Sequence, residues 1–101
     1  MQNKFSEFYI LLGEAYYKIT NYKVAEGYLL KALDVNKKSD KLNQDEVSYL
    51  NLHIYYWLHL TYKHLYDEVK ASQCSKLFKS ITYNEENVRR YIKNSLPFDE
   101  V

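Results

Sequence analysis

Tyr9-x2-Leu12-Gly13-x2-Tyr16, a polar break at Thr20-Asn21, and then Ala25-x3-Leu29-x2-Ala32 form the stretch whose reading decides the fold. Each half has helical spacing, and the break between them is too short for anything but a reversal of direction. Small Gly13, Ala25 and Ala32 let two helix backbones approach, while Tyr9, Leu12, Tyr16 and Leu29 fill the space around them. The whole chain agrees with this hairpin. Only two Gly and one Pro interrupt 101 residues, so a nearly all-helical fold is expected. That length suits one small domain with a single core.

Outward from the hairpin, the first helix is predicted to start near Asn3 or Ser6, as an N-cap, and to run to about Ile19. Phe5, Phe8, Leu12, Ala15 and Ile19 form its apolar stripe, with Tyr9 and Tyr16 beside it. The second helix is predicted from about Tyr22 to Val35, with Ala25, Leu29, Ala32 and Leu33 inward and Lys23, Glu26 and Lys31 outward. The polar run from Asn36 to Lys41 ends it. Asn43 and Glu46 then have capping-box spacing, with Leu42 able to staple against Val47. They open a third helix through Leu50, Ile54, Trp57 and Leu58 that is apolar nearly all round. A fourth helix is read over Asp67 to Ile81 with Ala71, Cys74, Phe78 and Ile81 in its stripe. Thr82-x2-Glu85 opens a fifth, to about Ser95, with Val88, Tyr91, Ile92 and Leu96 on one side and charged residues on the other. Pro97 closes it, leaving Phe98 to Val101 as a short tail.

The spacing of Tyr9 to Ala32 resembles a tetratricopeptide (TPR) repeat, whose signature is Trp-x2-Leu-Gly-x2-Tyr, then Ala-x3-Phe, then Pro. Tyr9 stands for the Trp, Leu29 for the Phe and Lys37 for the Pro, and the match covers about a third of the chain. The resemblance implies an all-α fold of about five helices, with antiparallel hairpins stacked as a short superhelix. The expected division is a first hairpin over 1–36, a degenerate second one over 43–81 and a polar-faced capping helix over 82–96. Cys74-x3-Phe78-x2-Ile81 echoes Ala25-x3-Leu29-x2-Ala32 at an offset of 49 residues, where a TPR repeat has 34. Three repeats usually make a free-standing solenoid, so the chain reads as a capped miniature or a piece of a longer array. A narrower likeness, in Leu12-Gly13-Glu14-Ala15-Tyr16-Tyr17 and Lys31-Ala32-Leu33-Asp34, is to TPR domains of Gram-positive peptide-sensing regulators. Those also carry an effector domain, to which nothing in this chain corresponds.

Composition narrows the function classes. Fourteen basic and 13 acidic residues are spread along the chain for a net charge of +1, which leaves no polyanion-seeking face, so nucleic acid is not an expected partner. The longest apolar stretch, Leu50 to Leu60, is interrupted by Asn51, His53 and His59 and is too short for a bilayer. Lone Cys74 excludes an internal disulfide, and a cytoplasmic protein is expected. His53, His59 and His64 are spaced six and five apart, so they do not share the i, i+4 face that metal ligands use, and are read as surface or half-buried. Cys74 sits at a small-residue packing position, unlike an activated nucleophile. With no phosphate-cradling loop, triad or paired carboxylates in view, no enzyme, metal or cofactor is expected.

The 12 tyrosines leave two readings of the third helix: Tyr55, Tyr56 and Trp57 are core packed between helices, or, since not every ring from Tyr49 to Tyr66 fits inside so small a domain, some face solvent or a partner as binding anchors. By the resemblance, the first helix of each repeat lines a concave groove for a protein or peptide. The groove-facing residues would be Ile10, Glu14, Tyr17 and Lys18, with Asn51, Tyr55, Trp57 and His59 from the third helix. TPRs that grip chaperone C-terminal carboxylates carry Asn just after the repeat Gly and Lys three before it. Glu14 and Ile10 stand there, which argues against that ligand. The competing expectation is a self-associating helical unit, a homodimer built on the aromatic surface.

Overall fold

The protein is described by a computed structural model covering residues 5–94, with side chains from 5 to 89. Five α-helices follow in order: α1 (Phe5–Lys18), α2 (Tyr22–Lys38), α3 (Gln44–His64), α4 (Glu68–Ser80) and α5 (Glu85–Asn94). The fold is all-α, with α1/α2 and α3/α4 as antiparallel hairpins and α3 in contact with each of the other four helices. The core gathers Ile10, Leu29, Ala32, Leu50, Ile54, Trp57 and Leu58 around α3.

Both hairpin turns close in the same way. Thr20 N–H donates to the Tyr17 carbonyl and Asn21 N–H to that of Tyr16; Tyr66 N–H donates to Lys63 and Asp67 N–H to Tyr62. Each pair satisfies the last carbonyls of the preceding helix through one residue of positive φ, Thr20 at 65° and Tyr66 at 59°. Matching these turns sets the internal register at 46 residues, pairing Thr20 with Tyr66 and buried Ala25 with buried Ala71. The expected pairing of Ala25 with Cys74 is therefore corrected by three residues, close to one helical turn. In the new register Gly13 and Leu29 correspond to His59 and Ser75. The small and large members of the pair are exchanged, and His59 and Ser75 line a common hollow.

The first hairpin is tight because Gly13 faces Leu29; a Cβ on Gly13 would lie 2.5 Å from Leu29 Cγ and 2.6 Å from Cδ2. The inward face of α1 follows from this contact, and it is not the apolar stripe. Ser6, Glu7, Ile10, Gly13 and Glu14 are buried, whereas Phe5, Phe8, Leu12 and Ile19 are 50, 51, 39 and 67% exposed. The expected direction of α1 is thus inverted, and Ser6, expected as a cap, is an internal buried residue. Asn3 lies outside the described residues.

Helix α2 runs a turn past the expected stop. Asn36 continues the inward row Ala25, Leu29, Ala32 and is buried, its Nδ2 donating to Asn51 Oδ1 on α3 (2.9 Å). Glu26, expected outward, is half-buried. Burial raises its carboxyl, but hydrogen bonds from Lys23 and Tyr62 outweigh that and hold it below the ordinary value. Helix α3 opens on the capping box read from the sequence, with Asn43 Oδ1 accepting from Glu46 N–H (2.8 Å) and Glu46 Oε1 from Asn43 N–H (2.9 Å).

At α5, Asn84 rather than Thr82 is the cap, its Oδ1 accepting from Glu86 N–H (2.9 Å). Asp45 anchors that helix to α3, accepting from Asn84 N–H (3.1 Å) and Asn87 Nδ2 (2.6 Å). Asn43 Nδ2 adds a bond to the Asn87 carbonyl, Tyr83 packs edge-on to Tyr49, and Val88 is fully buried. The expected contributions of Tyr91, Ile92, Leu96 and Pro97 lie outside the described side chains.

Candidate functional site

The eight residues expected along one groove are distributed over four places. Ile10 is in the core, fully buried, and cannot face a ligand. Glu14, Tyr17, Lys18 and Trp57 do come together where α1 meets α3. The Tyr17 ring lies 5.4 Å from Trp57, 5.5 Å from Tyr22 and 5.6 Å from His64, and Tyr22 stacks flat on His64 at 4.5 Å. Lys18 Nζ sits 5.9 Å above Trp57 and 2.9 Å from Glu14 Oε2. Burial, then the neighbouring Tyr22 and Tyr56 hydroxyls, raise the Tyr17 pKa. These groups pack on one another across three helices, α1, α2 and α3. Trp57, buried in the core, offers no open anchor for a ligand.

Asn51 and Tyr55 look the other way, toward α2. With Val47 they occupy successive turns of α3 and face Leu33, Asp34 and Lys37 of α2 across a hollow of about 510 Å³. Leu33, Val47 and Tyr55 supply apolar walls, Asp34 and Lys37 one charge of each sign, and Asn51 an amide whose Oδ1 is already held by Asn36. Burial, then the nearby Cys74, raise the Tyr55 pKa, so its hydroxyl stays protonated as a donor. Spacing alone carries a signal for the α2 side of this hollow, which the groove expectation omits. Residues 47, 51 and 55 are spaced by four and 33, 34 and 37 by one and three, so each set lines one helical face.

No family model, curated protein or solved structure matches the chain. Its chemistry has to be read from geometry alone.

His59 lines the fourth place, a hollow of about 350 Å³ between α3 and α4, with Lys63, Glu68, Ser75, Lys76 and Lys79 among its walls. The register explains this opening: Ser75 stands where the first hairpin has Leu29 and leaves the seam unfilled. His59 Nδ1 lies 3.4 Å from the Ala71 carbonyl, which can only accept, so a hydrogen bond there belongs to the tautomer protonated at Nδ1.

His53, expected at the surface or half-buried, is instead buried, and burial takes its imidazole down to about 4. Burial also raises the Cys74 thiol, which disfavours the nucleophilic thiolate. Among the described residues no group of three or more His, Cys, Asp and Glu side chains is placed to hold a metal ion, and no helix is long and apolar enough to cross a membrane.

Proposed function

We propose that the chain is a non-catalytic, TPR-like interaction module of the cytoplasm that binds a protein or peptide segment in the hollow between α2 and α3. The observation that carries this reading is Asn51, a half-buried amide set among Leu33, Val47 and Tyr55 with Asp34 and Lys37 at hand. A peptide presents alternating carbonyls and N–H groups with side chains between them. Asn51 donates from Nδ2 to a ligand carbonyl while Asn36 fixes the amide from the other side. Leu33, Val47 and Tyr55 cover one or two apolar side chains, and the two charges orient the segment. The raised thiol pKa of Cys74 supports a binding role over nucleophilic catalysis.

The test is selection of displayed peptides on the purified chain, followed by titration of a selected peptide with amide chemical-shift mapping. Shifts centred on Leu33, Asn51 and Tyr55 are expected, with Asn51→Ala and Tyr55→Ala each weakening binding about tenfold or more. Shifts confined to other helices, or full affinity in both variants, would overturn the reading.

A further inference from the structure

Helix α1 is amphipathic in the wrong sense for an isolated domain. It buries Glu7 and Glu14 and shows solvent Phe5, Phe8, Leu12 and Ile19. Taking carboxylates inward while leaving large apolar side chains in water is costly on both faces. The cost falls on the outer face only while that face stays uncovered.

Three features of that face specify what covers it. Its spacing is symmetric: positions 5, 8, 9, 12, 15, 16 and 19 are placed evenly about Leu12, by three, four and seven residues either way. Every member is apolar or aromatic: Phe5, Phe8, Tyr9, Leu12, Ala15, Tyr16 and Ile19. A helix with this pattern, laid antiparallel on a second copy of itself, puts Leu12 on Leu12, Phe8 and Tyr9 against Tyr16 and Ala15, and Phe5 against Ile19. No charged side chain of α1 belongs to the row, so pairing sets no like charges together at the centre.

The antiparallel arrangement also sets the two ends of the row against each other. Ile19, the most exposed of the row, still bonds from its N–H to the Ala15 carbonyl and so projects in helical register. At the other end Phe5 and Val35 border a hollow of about 310 Å³ whose remaining walls are Asp34, Lys38, Ser39, Asp40 and Lys41. In the antiparallel arrangement Ile19 of the second copy reaches that hollow, and the two-fold axis repeats the contact.

The area is adequate too. At about 150–250 Å² for each large aromatic side chain and somewhat less for each aliphatic one, the exposed parts of Phe5, Phe8, Leu12 and Ile19 present on the order of 400 Å². That is the apolar centre of a standard interface, which buries roughly 800 Å² per partner with its polar rim. On α2, Tyr28 stacks between Tyr9 and Tyr16 under the Lys31 ammonium and extends the face sideways.

We infer that this outer face of α1 joins two copies of the chain antiparallel about a two-fold axis at Leu12. The self-association surface is therefore the first hairpin rather than the aromatic third helix. It borders the α2/α3 hollow at Asp34 alone, and Leu12 and Phe8, which carry the test, do not line that hollow, so either reading can fail alone.

Sedimentation equilibrium at micromolar concentration should give a dimer. Leu12→Lys, which sets two ammonium groups against each other on the axis, should raise its dissociation constant at least about a hundredfold. Helical circular dichroism and peptide binding should stay unchanged, because Leu12 is a surface residue. Phe8→Lys gives the same test off the axis. Cysteine cross-linking reads the register, with buried Cys74 kept out of the reaction. Leu12→Cys should link to itself, whereas Phe5→Cys and Ile19→Cys should link faster to each other than to themselves. A monomer at about a hundredfold higher concentration, a dimer indifferent to both lysine variants, or Phe5→Cys linking best to itself would each overturn the inference.

Discussion

Gly13→Ala should destabilise the protein, although alanine is the better helix former, and Gly27→Ala should stabilise it. At Gly27 an added Cβ meets nothing within 4 Å, so only the propensity gain of about 1 kcal/mol applies. At Gly13 the same gain is set against a Cβ 2.5 Å from Leu29 Cγ, more than about 1 Å inside ordinary carbon–carbon contact. Leu29 is fully buried between α1 and the core and cannot swing away, so the clash costs near the upper end of the roughly 1–3 kcal/mol range for overpacking. The net expectation is a loss of about 2 kcal/mol at Gly13, and midpoints displaced roughly 10 °C down for one variant and about 5 °C up for the other. Urea and thermal unfolding followed by circular dichroism measure both. Adding Leu29→Ala separates this cause from a general intolerance of change. The methyl introduced by Gly13→Ala then partly fills the space left by Leu29, so the double variant should lose at least about 1 kcal/mol less than the two single losses combined. If Gly13→Ala is as stable as Gly27→Ala, or if the cycle is additive, the close approach does not hold the hairpin.

Three further outcomes are expected. Tyr66 is 89% exposed at φ 59°, a region a non-glycine residue occupies at about 1 kcal/mol or more, so Tyr66→Gly should raise urea-measured stability by about that amount while the packing around the turn stays as it is. Burial lowers His53 to about 4 in the folded chain against 6.5 unfolded, so its stabilising share is complete above pH 6.5 and is lost as pH falls toward 4. Between pH 7.5 and 4.5 this removes about 2.5 kcal/mol, and His53→Leu, compared with the parent at both pH values by urea unfolding, should narrow the parent's loss by that amount. Asp45→Ala removes both acceptors that hold Asn84 and Asn87, and amide hydrogen exchange should accelerate throughout α5 while α1 to α4 keep their protection.

The helices themselves are legible in the sequence, because breakers are few and the third-helix capping box is unambiguous. What periodicity cannot supply is direction. The row Phe5, Phe8, Leu12, Ile19 has the spacing of a buried stripe, yet a stripe says only that its members share a face. Which face turns inward is settled by Gly13, the one position where α2 can come close, and Gly13 carries Ile10 and Glu14 in with it. Asn36 reads as a stop for a related reason: its polarity suggests an end, whereas its place in the row Ala25, Leu29, Ala32 completes the next turn against Asn51. The candidate groove disperses because α3 touches four helices. Residues a few positions apart on it, such as Asn51, Trp57 and His59, necessarily face different neighbours.

The 46-residue register links these observations. Hairpin turns of the same construction hold both helix pairs, so the difference between them lies in what fills the seam. Gly13 against Leu29 closes the first, and His59 against Ser75 leaves the second ajar, with the 350 Å³ hollow beside it. Both the 510 Å³ and the 350 Å³ hollows border α3. The first hairpin is left as a rigid plate whose inner side orders Glu7 and Glu14 and whose outer side is apolar. At the far end α5 packs on α3 with Val88 inward, while Glu85, Glu86 and Arg89 are exposed. An apolar outer side that is left in water is relieved by covering it, and a row symmetric about Leu12 meets that need with a second copy of the same chain.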